Sequence, residues 1–174
     1  MAHVILGLLL IAPRSLYDLI KGFESGVALF YSASSGSIKR SLDALLEQGR
    51  IEVAHVEPGG RGRKTYRVTD AGRAHFHEWI RSTPSGSDIE TAALSRLYFL
   101  GLVPPGERGD VLRALTGRIE ADLATLTRLE GSLESVEVPA ELTDVARFQR
   151  ATLDYGLASH RFAAKFLTDL ADDL

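Results

Sequence analysis

Between residues 35 and 68 the chain carries the pattern that most limits its fold. Ile38, Leu42, Leu45 and Leu46 fall at i, i+4, i+7 and i+8, one apolar stripe of a helix, while Lys39, Arg40 and Asp43 take the opposite face. Ser35 or Ser37 is expected to cap its start, and Gly49 stands where a left-handed residue closes such a helix. Two short runs rich in β-branched and aromatic residues follow, 51–57 and 65–68. Between them lies Pro58-Gly-Gly-Arg-Gly-Arg-Lys64, so the spacing predicts a hairpin with a pliable loop carrying Arg61, Arg63 and Lys64.

Two more helices are expected upstream. Residues 3–12 are almost wholly apolar and end at Pro13; the run is well short of the ~20 residues a membrane span needs, and no Lys or Arg precedes it as in an export signal. A buried helix is the expectation. Ser15 and Asp18 have capping-box spacing, and Leu16, Leu19, Ile20 and Phe23 line one face of the helix they would open. Downstream of the hairpin, Thr69 caps a helix in which Phe76, Trp79 and Ile80 share a face.

Residues 82–88, rich in Ser, Gly and Pro, read as a linker, and no strand signal follows. A mostly apolar helix is expected over 89–103. Two long helices follow, about 106–134 and 140–172, separated at Pro139. The first carries Leu112, Leu115, Ile119, Leu123, Leu126, Leu129 and Leu133; the second carries Val145, Phe148, Tyr155, Phe162, Phe166 and Leu170. Joined by a short connection, they should form an antiparallel pair. Their apolar surface exceeds what one such pair covers, so a second copy of the chain is expected to bury the rest.

The order helix, helix, helix, strand, cationic loop, strand, helix is that of a winged helix-turn-helix. The fold class is therefore mainly α (α+β): a winged helix-turn-helix over 1–81, then an all-helical dimerisation domain over 88–174. A helix fits the major groove of double-stranded DNA, its outer side chains reach base edges, and nearby cations hold phosphates. The helix from about Ser37 to Gln48 is the candidate reader, with Ser35, Ser37, Lys39 and Arg40 at its start; Arg61, Arg63 and Lys64 form the candidate wing. Charge agrees in sign. Residues 1–81 hold 11 Lys and Arg against 8 Asp and Glu, whereas 82–174 hold 9 against 15.

These residues also resemble a known family. Ser35 to Ile51, with its Ser/Gly-rich start and leucine stripe ending in Gly, and Gly62 to Ala74, with Arg-Lys-Thr-Tyr running into Thr69-Asp-Ala-Gly-Arg73, look like the PadR family of bacterial regulators; Leu16 to Ile20 resembles its second helix. One branch of that family carries a sizeable helical C-terminal domain used for dimerisation. The resemblance implies a homodimeric, usually repressing regulator that binds a pseudo-palindromic operator and answers to a small molecule or another signal. This chain departs from the family pattern at Lys39, where a tyrosine that contacts the DNA backbone usually stands. Lys39 is expected to reach a phosphate in its place.

Other chemistries find little support. There is no cysteine, which removes disulfides, thiolate nucleophiles and cysteine metal sites and suits a cytoplasmic protein. His75 and His77, two apart, do not share a helix face as metal ligands would. Spacings of a phosphate loop, a nucleophile elbow or paired catalytic carboxylates are missing, so neither enzymatic activity nor a cofactor is expected. Tyr98, Phe99, Phe148 and Tyr155 are candidates to line an effector pocket, against the plainer reading that they are packing residues of the dimer core. The alternative function is a winged-helix interaction protein that has lost operator recognition and acts through its helical region.

Overall fold

A computed structural model describes residues 1–58, 62–86, 88–133 and 135–174. They gather into two compact units. The first comprises Met1–Ser82 and Gly86–Glu107, the second Thr83–Ser85 and Arg108–Leu174.

The first unit is built around α1 (Ala2–Ile11), which is apolar on all sides and correspondingly central: Val4, Ile5, Leu6, Leu8 and Leu9 are all buried. Helix α2 (Leu16–Ser25) opens on the expected capping box, with Asp18 N donating to Ser15 Oγ at 3.3 Å and Ser15 N donating to Asp18 Oδ2 at 3.1 Å. It buries Leu19 and Phe23, ends at Gly26, and passes through a 3₁₀ turn, Val27–Leu29, into α3 (Ser35–Glu47).

Helix α3 buries Ile38, Leu42 and Leu45, the expected stripe. Its cap is a correction. Neither Ser35 nor Ser37 caps the helix; Ser34 does, accepting from Ser37 N at 3.2 Å, so that Ser35 is the first helical residue and Ser37 the third. At the other end Gly49 takes φ +65°, with Gly49 N donating to Leu46 O at 3.0 Å and Arg50 N to Leu45 O at 2.9 Å. That pair of bonds is the Schellman closure, for which glycine suits the left-handed position.

Strands β2 (Ile51–Val56) and β3 (Lys64–Val68) form the hairpin, paired from Ile51↔Val68 to Val56↔Lys64 with a bulge between Val53 and His55. A third strand adds to the sequence expectation: β1, Arg14–Ser15, pairs antiparallel with the other side of β3, Ser15 opposite Thr65, giving the order β1-β3-β2. Helix α4 (Asp70–Arg81) follows, capped by Thr69, whose hydroxyl also donates to Gly49 O at 2.7 Å. Gly72 lets α4 come down on the α3–β2 connection, because a Cβ there would fall inside the Arg50 carbonyl oxygen.

Helix α5 covers Ile89–Tyr98, shorter than the expected 89–103, because the chain tightens into a 3₁₀ turn at Leu100–Leu102 before the two prolines. It buries Ile89 and Ala93, and the adjoining Phe99 is sealed edge-on against Phe76 and closely over Gly7.

The second unit is an antiparallel helical pair, α6 (Pro105–Leu133, whose first residues belong to the first unit) and α7 (Thr143–Asp172). Arg150 Nη2 donates to Glu130 Oε1 at 2.6 Å, and the backbone at Gly156 lies against the end of Leu126, which fixes the register. On α6 the stripe is buried at Leu112, Leu115 and Ile119, half-buried at Leu123 and Leu126, and exposed at Leu129 and Leu133.

Candidate nucleic-acid interface

The buried stripe of α3 fixes which side of the helix points outward. Opposite Ile38, Leu42 and Leu45 stand Lys39 and Arg40, both exposed, with Ser35 and Gly36 one turn before them. Ser37 is spent on the turn itself, its hydroxyl donating to Ser34 O at 2.8 Å. The Arg40 guanidinium lies back over Gly36. Lys39 Nζ donates to Asp43 Oδ2 at 2.6 Å, and that hydrogen bond, with the carboxylate charge, raises the lysine above its ordinary pKa. An exposed pair of this kind at i, i+4 is weak and opens easily.

Arg61 lies outside the described residues. Lys64 opens β3 and is exposed. Arg63 is engaged within the protein: its Nη2 donates to Ser15 Oγ at 3.0 Å and to Asp18 Oδ1 and Oδ2 at 2.9 and 2.8 Å. The Asp18 carboxyl sits below the usual carboxylate range, chiefly through the hydrogen bond from the Ser15 hydroxyl, with help from the Ser15 amide and Arg63. Beside this cluster runs a cleft of about 610 Å³ lined by Ser15, Leu16, Tyr17, Gly62, Arg63, Lys64 and Tyr66. Tyr17 stands exposed, with Lys21 Nζ and Arg63 Cζ each 5.9 Å from its ring centroid. Sequence reasoning passed over Tyr17 and Lys21; their i, i+4 spacing on α2 was the available signal. Tyr66 is half-buried along this cleft.

The four aromatic residues considered for an effector pocket divide between the units. Phe99 is part of the core of the first unit and Tyr98 packs on it edge-on, whereas Phe148 and Tyr155 project from α7 in the second, 66% and 74% exposed.

A second cluster lies within the first unit. His3 stacks on Trp79 with centroids 4.7 Å apart and planes at 4°, and the Arg96 guanidinium lies 4.7 Å from the same ring. His3 Nε2 is 3.0 Å from His75 Nε2, which is also 2.8 Å from Arg50 Nη1. Because the arginine can only donate, His75 Nε2 accepts, and His3 donates to it. Burial, then the neighbouring His75, the chain's α-amino group, Arg96 and Arg50, lower the His3 pKa to about 4. Among the described residues no group of three or more His, Cys, Asp or Glu side chains is placed to hold a metal ion, and no helix is long and apolar enough to cross a membrane.

Two family profiles match the chain. The transcriptional regulator PadR-like family covers residues 5–78, and the virulence activator alpha C-terminal family covers 92–174. The probable transcriptional regulator Rv1176c of Mycobacterium tuberculosis is 26% identical over 99% of this chain and 96% of its own length. Among solved structures, Bacillus subtilis PadR in complex with operator DNA is 22% identical, with a TM-score of 0.46 over 99% of this chain and 97% of that one. The Vibrio cholerae virulence activator AphA is 21% identical, with a TM-score of 0.43 over 99% and 96%. Residues 5–78 thus belong to the PadR-like family of transcriptional regulators, and the helices that follow match the C-terminal family of virulence activators.

Proposed function

We propose that the protein is a homodimeric repressor that reads a pseudo-palindromic operator in the cytoplasm, with DNA contacts in residues 1–81 and the dimer contacts in 88–174. The observation that carries the reading is the outward face of α3: Ser35, Lys39 and Arg40 crowd the first two turns of a helix whose opposite face is locked into the core. That N-terminal end is where recognition helices meet bases, and Lys64, with Arg61 of the same loop, supplies cations for the flanking phosphates. Lys39 exchanges Asp43 for a phosphate oxygen on binding.

Dimerisation is supported by α7. Its buried residues Leu153, Leu157, Ala164 and Leu167 lie on one side, while Val145, Phe148, Tyr155, Phe162 and Phe166 form a second apolar row on the other. Phe148, Tyr155 and Phe162 recur every seven residues, the repeat of a helix seam, and remain 66–74% exposed. The row suits a second copy of the same helix across a two-fold axis, and on this reading Phe148 and Tyr155 serve the seam rather than an effector pocket. A two-fold dimer reading successive major grooves places its α3 helices about 34–36 Å apart.

One observation favours the alternative, an interaction protein without operator recognition: Lys39 and Arg63 are paired with Asp43 and Asp18. Gel shifts with the DNA upstream of its own gene separate the two. The repressor retards that DNA and not a scrambled duplex. The interaction protein binds neither at low salt and is recovered instead with a protein partner.

A further inference from the structure

We propose that Asp18 is the positioning residue of the wing: through Arg63 it fastens the base of the β2–β3 loop to the start of α2, so that Arg63 is a strut and not a phosphate contact. This rests on the DNA-binding reading above. Arg63 is the last residue before β3, and its carbonyl accepts from Glu57 N at 3.0 Å across the loop. Holding Arg63 therefore holds both stems of the wing. The anchor it meets is rigid. Ser15 is 2% exposed, is paired to β3 through β1, and is itself the cap of α2. Its hydroxyl donates to Asp18 Oδ2 at 2.7 Å, so one carboxylate takes the Ser15 amide, the Ser15 hydroxyl and the guanidinium together.

The charges lead to the same assignment. A guanidinium already neutralised by a carboxylate releases no counterion when DNA arrives, whereas each new contact to a phosphate changes the slope of log affinity against log salt by about 0.9. Strut and contact are thus separable by salt dependence. They also differ in what loss of the carboxylate does: it loosens a strut, and it frees a contact.

The experiment compares Asp18→Asn, Asp18→Glu, Arg63→Gln and Lys64→Ala with the wild type in the full-length protein. Anisotropy of its own upstream DNA is followed over a salt series, together with hydrogen exchange of the DNA-free protein. Asparagine retains an oxygen to accept from the Ser15 amide, so α2 keeps its cap, while glutamate preserves the charge. Asp18→Asn and Arg63→Gln are expected to weaken binding about two- to fivefold with unchanged salt slope, the double variant being no worse than either single one. Asp18→Glu retains wild-type affinity, and Lys64→Ala flattens the slope by about 1. The Glu57 amide exchanges faster in Asp18→Asn than in wild type or Lys64→Ala. Tighter binding by Asp18→Asn, a slope flattened by Arg63→Gln as by Lys64→Ala, or an unchanged Glu57 exchange rate in Asp18→Asn would overturn the assignment. If the wild type itself fails to discriminate its upstream DNA, the DNA-binding reading fails, while the exchange result still decides whether Asp18 holds the loop.

Discussion

Acidifying the protein from pH 7.5 to pH 5 should loosen the first unit, and His3 should account for much of the loss. His3 on α1 faces His75 and Trp79 on α4, Arg96 on α5 and Arg50 beyond α3, with the chain's α-amino group also close. Glu78, near His75, supplies a negative charge that works in the opposite direction. In the folded state His3 takes up a proton near pH 4, against 6.5 in the unfolded chain. The unfolded chain therefore binds more protons between those values. Stability is complete above pH 6.5 and falls as the pH drops toward 4. With these two pKa values the term reaches about 2 kcal/mol at pH 5; since the ring is partly exposed, water screening brings the expected loss to about 1–2 kcal/mol. Protonating His75, whose pKa is also lowered by burial and by Arg50, acts in the same direction, since it removes the lone pair that Arg50 and His3 share. The assay is urea unfolding of wild type and His3→Phe at both pH values. Phenylalanine keeps the stack on Trp79 and abolishes the titration. The variant should lose about 1–2 kcal/mol less than wild type between pH 7.5 and 5. Equal losses in the two proteins would refute the role given to His3.

Gly72→Ala is expected to lower stability by more than about 2 kcal/mol, although the same exchange inside a free helix gains about 1, because the new methyl meets the Arg50 carbonyl; circular dichroism melts read the sign directly. Light scattering should find a dimer for the wild type and a folded monomer when Phe148, Tyr155 and Phe162 are together replaced by lysine, since their side chains are exposed in the single chain. Asp43→Ala should tighten operator binding about two- to fivefold by freeing Lys39 from its ion pair, an effect that anisotropy resolves and that Lys39→Ala should erase.

Features set by neighbours along the chain were legible in the sequence. The α3 stripe, the Gly49 closure and the Ser15–Asp18 box each depend on residues within one or two turns, and periodicity or cap chemistry reveals them. The choice among Ser34, Ser35 and Ser37 as cap was not legible, because all three are capable and only the entry path of the backbone selects Ser34. Strand β1 is two residues long and exists because β3 offers an edge about fifty residues later, so no local pattern announces it. The same holds for the clusters that matter most to the site. Arg63 and Asp18 are 45 residues apart and His3 and His75 72 apart, and composition shows the charges without their partners. A cationic loop in sequence therefore does not show which of its charges are paired: Arg63, though exposed, is bonded to Asp18, and Lys64 is exposed. On α7, by contrast, the seven-residue recurrence of aromatics was visible, but only burial distinguished the row that faces α6 from the row left open.

Operator recognition by the outward face of α3 is tested most directly by anisotropy over a salt series, with the protein's own upstream DNA and a scrambled duplex of equal length. The account predicts binding of the upstream DNA at least about a thousandfold tighter than of the scrambled one at physiological salt. It further predicts that Lys39→Ala with Arg40→Ala removes most of that preference. Equal affinity for the two duplexes, or a preference untouched by the double substitution, would contradict it.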